Sequence, residues 1–322
     1  MRRERTGLAI EKGKAMKNVM RVVLALAVLV QGLSCLRAED AEKKVIGTLA
    51  GRVLATGGTI TLFDGEGKTL WSHGGGNCAD IWMLPTGNVL FANGDVIEVD
   101  PKTKKTVFSY RSTVTKGGGA YACQRLENGH TLVGENSTGR ILEVTPEGKV
   151  AFELQLPLAK EGDHHNLRMV RKLKNGNYLV CHSGPKLVRE YTPKGEVVFE
   201  VKVGNIAFSA VRLPNGNTMV GHIDAVTEFD PKGQTVWEFK KTDLPEVALG
   251  MITGIHVQPD GHVLMGIYQI QKVPNGAGVL EITREKKLVW RYIDTAKNAN
   301  GAMMGVQLLD AEGRPLPGEV LR

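Results

Sequence analysis

Between Phe208 and Lys240 the sequence FSAVRLPNGNTMVGHIDAVTEFDPKGQTVWEFK alternates short apolar runs with two kinds of polar turn. Asn215-Gly216 follows the first run and Asp230-Pro231-Lys232-Gly233 follows the third. An Asn-Gly pair between apolar runs predicts a two-residue type I′ hairpin turn, in which both central residues take positive φ. Asp-Pro-Lys-Gly puts Pro at the favoured second position of a tight turn. The stretch is therefore predicted to be a four-stranded meander.

The unit recurs. The second kind of turn is found six times: Asp64-Gly65-Glu66-Gly67, Asp100-Pro101-Lys102-Thr103, Thr145-Pro146-Glu147-Gly148, Thr192-Pro193-Lys194-Gly195, Asp230 to Gly233, and Thr283-Arg284-Glu285-Lys286. Each copy precedes a run carrying an aromatic, in turn Trp71, Phe108, Phe152, Phe199, Trp237 and Trp290. Successive copies stand about 37 to about 53 residues apart, the spacing of four-stranded propeller blades. The first kind of turn recurs five times, as Thr86-Gly87, Asn128-Gly129, Asn175-Gly176, Asn215-Gly216 and Asp260-Gly261, one copy short. The first unit begins at its second strand, Arg52 to Thr56, while Gly305 to Leu309 reads as an inner strand without a blade of its own. Joining the two completes a sixth blade and removes open sheet edges. The prediction is an all-β chain, a closed six-bladed β-propeller of four-stranded blades over residues 45–322, almost without helix.

Residues 1–38 stand apart from this pattern. Lys17 and Arg21 precede the apolar run Val22 to Val30, and small and polar residues follow up to Ala38, the layout of a secretory signal peptide. The run is shorter than the roughly 20 apolar residues that span a bilayer. Cleavage after Ala38 would leave a short linker, 39–44, and an exported protein, periplasmic or extracellular, that meets the membrane only through its export signal. Met16 is an alternative start, and Cys35 offers an alternative as a lipidation site, although Gly32 stands where such sites usually carry Leu.

The leader also accounts for the charge. It carries eight Lys and Arg and two Asp and Glu, so that 41 basic and 34 acidic residues become 33 and 32 in the mature chain. No long basic run remains, which excludes nucleic acid as an expected partner. Cys78, Cys123 and Cys181 are too few for a disulfide framework and read as small core residues, with a Cys78–Cys123 bridge as the alternative. Nothing in the pattern calls for a second copy, and a monomer is expected.

On such a ring the turns joining strands one to two and three to four are short and uniform. The other connections hold the length variation: Leu156 to Asn166, Lys240 to Ile255, Tyr268 to Gly278 and Thr295 to Met304. Long loops on a rigid scaffold carry binding residues, so the axial mouth on that face is the predicted site. Its candidate ligand-binding residues are Asp80, Tyr121, Glu135, His164, His165, Arg168, His182, Phe208, His222 and His256. Asn93, Asp95, Asn136, Asn166 and Thr253 stand at corresponding positions. Converging histidines and carboxylates suit a divalent metal, a proton acceptor or an anion, and His182, His222 and Asp224 are the metal candidates. A His with an Arg three residues on, as in His165 and Arg168, suits a sulfate, phosphate or carboxylate. The bland alternative for each is an ordinary solvated loop residue. The Gly-rich runs after His73 and Lys116 lack the following helix that a phosphate cradle needs and read as tight turns. No nucleophile-elbow, zinc-protease or paired C-x-x-C motif is present, and Trp71, Trp237 and Trp290 read as packing residues.

The units LPNGNTMVG, LKNGNYLVC and LENGHTLVG, each followed by an E-[FYV]-[DT]-P-x-G-like hairpin, resemble the secreted bacterial pyrroloquinoline-quinone-like β-propeller repeat proteins over essentially the whole mature chain. That resemblance implies the fold. The quinone dehydrogenases of the group are eight-bladed and calcium-dependent, and this chain has too few repeats, so no quinone cofactor is expected. His164-His165-Asn166 ahead of Lys174-Asn175-Gly176-Asn177 is similar to the His-His-Asp signature of bacterial arylsulfotransferases, exported six-bladed propellers with a histidine nucleophile. Asn166 replaces the acid and the turn lies farther away. By that resemblance His165 or His256 would be the nucleophile and Arg168 would steady the sulfate. The expectation favoured here is a propeller that binds a small molecule, glycan or protein partner at its axial mouth. The alternatives are a sulfotransferase-like enzyme or a metal-dependent enzyme acting on polysaccharides through the channel histidines.

Overall fold

A computed structural model describes residues 43–75, 78–114, 118–271, 273–295, 304–319 and 321–322. The expected leader, its cleavage point at Ala38, Cys35 and most of the linker lie outside these residues. Among the described residues no helix is long and apolar enough to cross a membrane.

Strand β1 (Lys43–Gly47) precedes the first blade, of which β2 (Arg52–Thr56), β3 (Thr59–Asp64) and β4 (Thr69–Gly74) are the middle and outer strands. Four complete blades follow: β5 (Asp80–Met83), β6 (Val89–Ala92), β7 (Val96–Val99) and β8 (Thr106–Tyr110); β9 (Ala120–Arg125), β10 (Thr131–Glu135), β11 (Arg140–Val144) and β12 (Val150–Gln155); β13 (Val170–Lys172), β14 (Tyr178–His182), β15 (Leu187–Tyr191) and β16 (Val197–Lys202); β17 (Ala207–Arg212), β18 (Thr218–His222), β19 (Ala225–Phe229) and β20 (Thr235–Lys240). The last blade is β21 (Met251–Val257), β22 (Val263–Tyr268), β23 (Val279–Ile282) and β24 (Leu288–Asp294), and β25 (Val306–Leu309) comes last. Each blade is an antiparallel meander numbered outward from the axis. The six-bladed propeller is as expected, and a 3-10 turn at Lys241–Asp243 is the one helical element among the described residues.

Closure takes place at both ends of the chain. β25 is the inner strand of the first blade, pairing Leu309 with Arg52 and Val306 with Ala55, as the loose ends of the repeat predict. The sequence pattern gave no warning of β1. It adds a fifth, outermost strand to the last blade, in register from Lys43↔Asp294 to Gly47↔Trp290. Gly47 there has φ +83°, and a Cβ would stand 1.9 Å from the Val289 carbonyl oxygen, so only glycine fits.

Burial follows position in the blade. The middle strands β10, β14 and β18 are buried at every residue, because neighbouring blades cover both their faces. Outer strands such as β12 and β16 alternate, leaving Val150 and Val197 exposed. The core is correspondingly divided into apolar clusters, each filling the gap between two adjacent blades; Leu179, Val188, Val220 and Phe229, for example, join the fourth to the fifth. Such nearest-neighbour packing is how a repeat protein builds one continuous interior. Residues 42–322 form one compact unit.

The repeated turns differ in type from expectation. At Leu213–Asn217, Gly216 N–H donates to Leu213 O at 2.9 Å and Leu213 N–H to Asn217 O at 2.8 Å. Gly216 has φ +87°, while Asn215 does not have positive φ. This is a type I turn closed by a left-handed glycine, the three-residue hairpin, rather than type I′. Asn215 Oδ1 instead accepts from Asn217 N–H at 3.0 Å, which fixes the turn locally. The copy that was missing lies after β25, at Asp310–Gly313, with Gly313 at φ +87°. Among the described residues no further strand follows it. Leu321 pairs with Val257, and the Arg322 side chain passes into the axial channel.

The Glu of each E-[FYV]-[DT]-P hairpin is buried between blades. Glu190 pairs with Arg212 of the next blade at 2.7 Å and accepts from Asn177 at 2.6 Å. Glu98 pairs with Arg125, Glu143 with Lys172 and Glu228 with Arg284. The recurring Glu of the repeat thus belongs to a hydrogen-bonded seam between blades.

Candidate functional site

The long connection between β12 and β13 reaches over the axial mouth, and its last residues are held by neighbours on both sides. Asn166, 3% exposed, accepts from the N–H groups of Ala159 and Lys160 at 3.1 and 3.0 Å. It also donates to the Lys160 carbonyl at 2.5 Å. Asn136 Nδ2 donates to the His164 carbonyl at 3.3 Å, Gly184 N–H to the His165 carbonyl at 2.9 Å, and His182 Nδ1 to the Asn166 carbonyl at 2.9 Å. Three consecutive carbonyls are therefore tied to the third and fourth blades. A polar loop that would otherwise be solvated is fixed in place.

Arg168 follows this brace. Its guanidinium carbon lies 4.9 Å from the Phe208 ring centroid and 5.1 Å from that of Tyr121, between inner strands of flanking blades. Each cation–π contact contributes about 0.5–2 kcal/mol. Among the described residues Arg168 has no acceptor for its side chain, and its Nε is buried without one. Burial lowers its pKa from the ordinary value, opposed by the Tyr121 and Tyr268 hydroxyls; an arginine remains a cation under these conditions. A fixed, aromatic-flanked guanidinium with unused donors is the chemistry of an anion site.

Beside it, Asp163 Oδ1 stands 2.9 Å from His165 Nδ1 and 3.7 Å from His164 Nδ1, and the two imidazole centroids are 3.7 Å apart. Hydrogen bonds from the His165 main chain and ring hold the Asp163 carboxyl below its usual range. Burial, then the charges of His165 and Arg168, lower the His164 pKa. Among the described residues these three form the group of His, Cys, Asp and Glu whose donor atoms all lie within 4.8 Å of one another.

Other expected site residues are occupied elsewhere. His182, with Nδ1 on Asn166, accepts from the Tyr191 hydroxyl at Nε2 (2.9 Å), and burial pushes its pKa down to about 4; both nitrogens serve the brace. His222 Nε2 meets Thr227 Oγ1 at 3.1 Å, and burial lowers its pKa. Asp224 bonds Asn205 at 2.7 Å and Lys241 at 3.0 Å. The expected metal group of His182, His222 and Asp224 does not come together, because each is committed to its own blade. His256, 2% exposed, accepts the Leu308 N–H at Nδ1 (2.8 Å), and burial followed by the Arg322 charge pushes its pKa to about 3. It supports the closing strand.

Glu135 and Asp80 are likewise internal. Glu135 accepts from Ser112 Oγ at 2.7 Å and Arg140 Nε at 2.8 Å. Asp80 accepts two bonds from Arg171, at 2.7 and 3.0 Å, with Arg322 at 3.5 Å. Arg171 and Arg322 both stack on Trp82, so this cluster fills the channel below the mouth. Of the expected residues, the mouth brings together Tyr121, His164, His165, Arg168 and Phe208. Asp163 was missed by sequence reasoning; its adjacency to the His pair was the available signal, on the opposite side from the acid of the arylsulfotransferase signature.

Solved structures of similar fold are β-propellers. A protein of unknown function from Bacteroides caccae matches with a TM-score of 0.70 and 22% identity, over 81% of this chain and 99% of that one. A streptogramin B lyase matches with a TM-score of 0.56 and 12% identity, over 84% and 96%. The catalytically inactive histidine-to-alanine form of virginiamycin B lyase from Staphylococcus aureus, with quinupristin, matches with 0.52 and 15%, over 80% and 90%. At these identities the likeness is one of fold. No protein-family model and no curated protein matches the sequence, so the pyrroloquinoline-quinone-like and arylsulfotransferase resemblances gain no support from such a match. The class defined by the fold is the six-bladed β-propeller.

Proposed function

We propose that this is an exported binding propeller whose axial mouth, on the long-loop face, takes a small molecule bearing a carboxylate, sulfate or phosphate. Arg168 is the anchor. The observation that carries this reading is the guanidinium fixed between Tyr121 and Phe208 with its donors unused by the described residues. Leaving a buried donor unsatisfied costs about 1–3 kcal/mol, and an oxyanion that accepts from the planar fork recovers it with two charge-assisted bonds. Tyr121 and Phe208 offer an apolar wall to the rest of the ligand. The test is calorimetric titration of the metal-free mature chain with sulfate, phosphate, an aryl sulfate and a uronic acid. Saturable binding of at least one, weakened about 10- to 100-fold in Arg168→Met, is expected. No binding, or equal binding by Arg168→Met, refutes the proposal.

A catalytic second reading rests on the Asp163–His165 pair. Asp163 orients Nδ1 and leaves Nε2 as a base or nucleophile beside Arg168. It predicts turnover of an aryl sulfate donor that vanishes in His165→Ala; an inert wild-type chain removes it.

A further inference from the structure

We propose that Asp163, His164 and His165 form a binding site for a divalent transition-metal ion of the zinc class, with one coordination position left for an outside ligand. The donor set comes first. Two imidazoles and one carboxylate are what zinc, cobalt, nickel and copper take, whereas calcium and magnesium prefer sets made wholly of oxygen. An ion about 2.0–2.2 Å from each donor separates those donors by roughly 3–4 Å, and Oδ1 stands 2.9 and 3.7 Å from the two Nδ1 atoms. His164 and His165 are also partly exposed, so an ion can reach them from solvent.

The second support is the brace. A run of three adjacent ligands on a free loop would lose much of its affinity to ordering, but here the carbonyls of His164, His165 and Asn166 are each held by a different neighbour. Preorganisation of this kind is what separates a site from a polar loop. The ion replaces the proton now shared by Asp163 and His165. In the neutral ring that proton passes from Nδ1 to Nε2, so none need be released. Three protein ligands leave the open position typical of catalytic zinc rather than structural zinc.

The test is a titration of tag-free chain, dialysed against chelator, with Co²⁺ in chloride buffer, followed by the visible ligand-field bands and by displacement with Zn²⁺ or Ca²⁺. One saturable equivalent is expected, displaced by Zn²⁺ and not by Ca²⁺. His165→Ala and Asp163→Asn should each weaken it by more than about 100-fold, since even an outer-shell partner is worth 10–100-fold. The metal-free variants should keep the parent's folded circular-dichroism spectrum, because these side chains lie outside the core, so that lost metal binding is not lost folding. Absent saturable binding, or binding unchanged in His165→Ala, overturns the proposal. Anion binding is measured on metal-free protein, so either proposal can fail while the other stands.

Discussion

Trp290 gives the sharpest quantitative test of how the ring is held shut. Its indole is fully buried, stacks on Phe63 and Tyr292 at 6.4 and 6.3 Å, and donates Nε1–H to the Gly65 carbonyl of the first blade at 2.8 Å. Trp237 makes the equivalent bond to the Arg284 carbonyl of the next blade, also at 2.8 Å. The two differ because β1 covers Trp290, whereas Trp237 lies on an open outer strand and is only partly buried. Removing a buried tryptophan exposes roughly 150–250 Å², worth ~4–6 kcal/mol at about 25 cal/mol per Å². Measured costs of Phe or Trp to Ala run about 3–5 kcal/mol, and the lost hydrogen bond contributes about 1 kcal/mol of the total. We therefore expect ~4–5 kcal/mol for Trp290→Ala, about half that for Trp237→Ala, and about 1–2 kcal/mol for Trp290→Phe. Urea unfolding followed by circular dichroism reads this directly. With a slope near 3 kcal/mol per M, the midpoint for Trp290→Ala falls by about 1.5 M. A shift under about 0.5 M, or an equal shift in Trp237→Ala, would show that closure does not depend on this contact.

Three further outcomes follow from the buried groups. His182 and His256 have folded pKa values near 4 and 3 against 6.5 for the ordinary group, so the unfolded chain takes up protons first as pH falls. The stability they contribute is complete above about pH 6.5 and is lost between there and those values; unfolding titrations at pH 7, 6 and 5 should show the decline, with a shallower slope in His256→Gln. Asp80→Asn leaves Arg171 and Arg322 without their carboxylate and should cost about 3–5 kcal/mol, while Asp80→Asn with Arg171→Met should cost less than the sum of the single changes. Cys78, Cys123 and Cys181 are free and buried, and burial raises their thiol pKa values, to about 12 for Cys78 and Cys181. An aromatic disulfide reagent should therefore label none of the three until denaturant is added.

The blades were legible because each repeat announces at least one of its turns with glycine and its outer strand with an aromatic, and closure was legible from the unmatched Gly305–Leu309 run. β1 was not, because Lys43–Gly47 carries no turn and no partner nearby in sequence; its partner is Trp290 and the residues after it. At the site, Arg168, Tyr121 and Phe208 stood at matching positions of adjacent repeats, so periodicity could group them. The same periodicity grouped His182, His222 and His256 with them, since it reports which end of a blade a residue occupies but not where its side chain is spent. Tyr191, the Asn166 carbonyl and the Leu308 N–H decide that, and all three are tertiary partners. Arg322 stood outside the repeat and gave no periodic signal at all.

The pairing of β25 with β2 also orders events in time. A ribosome delivers Arg52–Thr56 early and Val306–Leu309 almost last, so the first blade waits with an open inner edge while the other five are made. Contacts so distant in sequence are the slow ones to form, and an unpaired inner edge is a template for another chain's strand. Closure thus requires the five residues of β1 to reach β24 and the four of β25 to reach β2, on neighbouring blades. Chains stalled before residue 306 are the species from which intermolecular strand exchange would start.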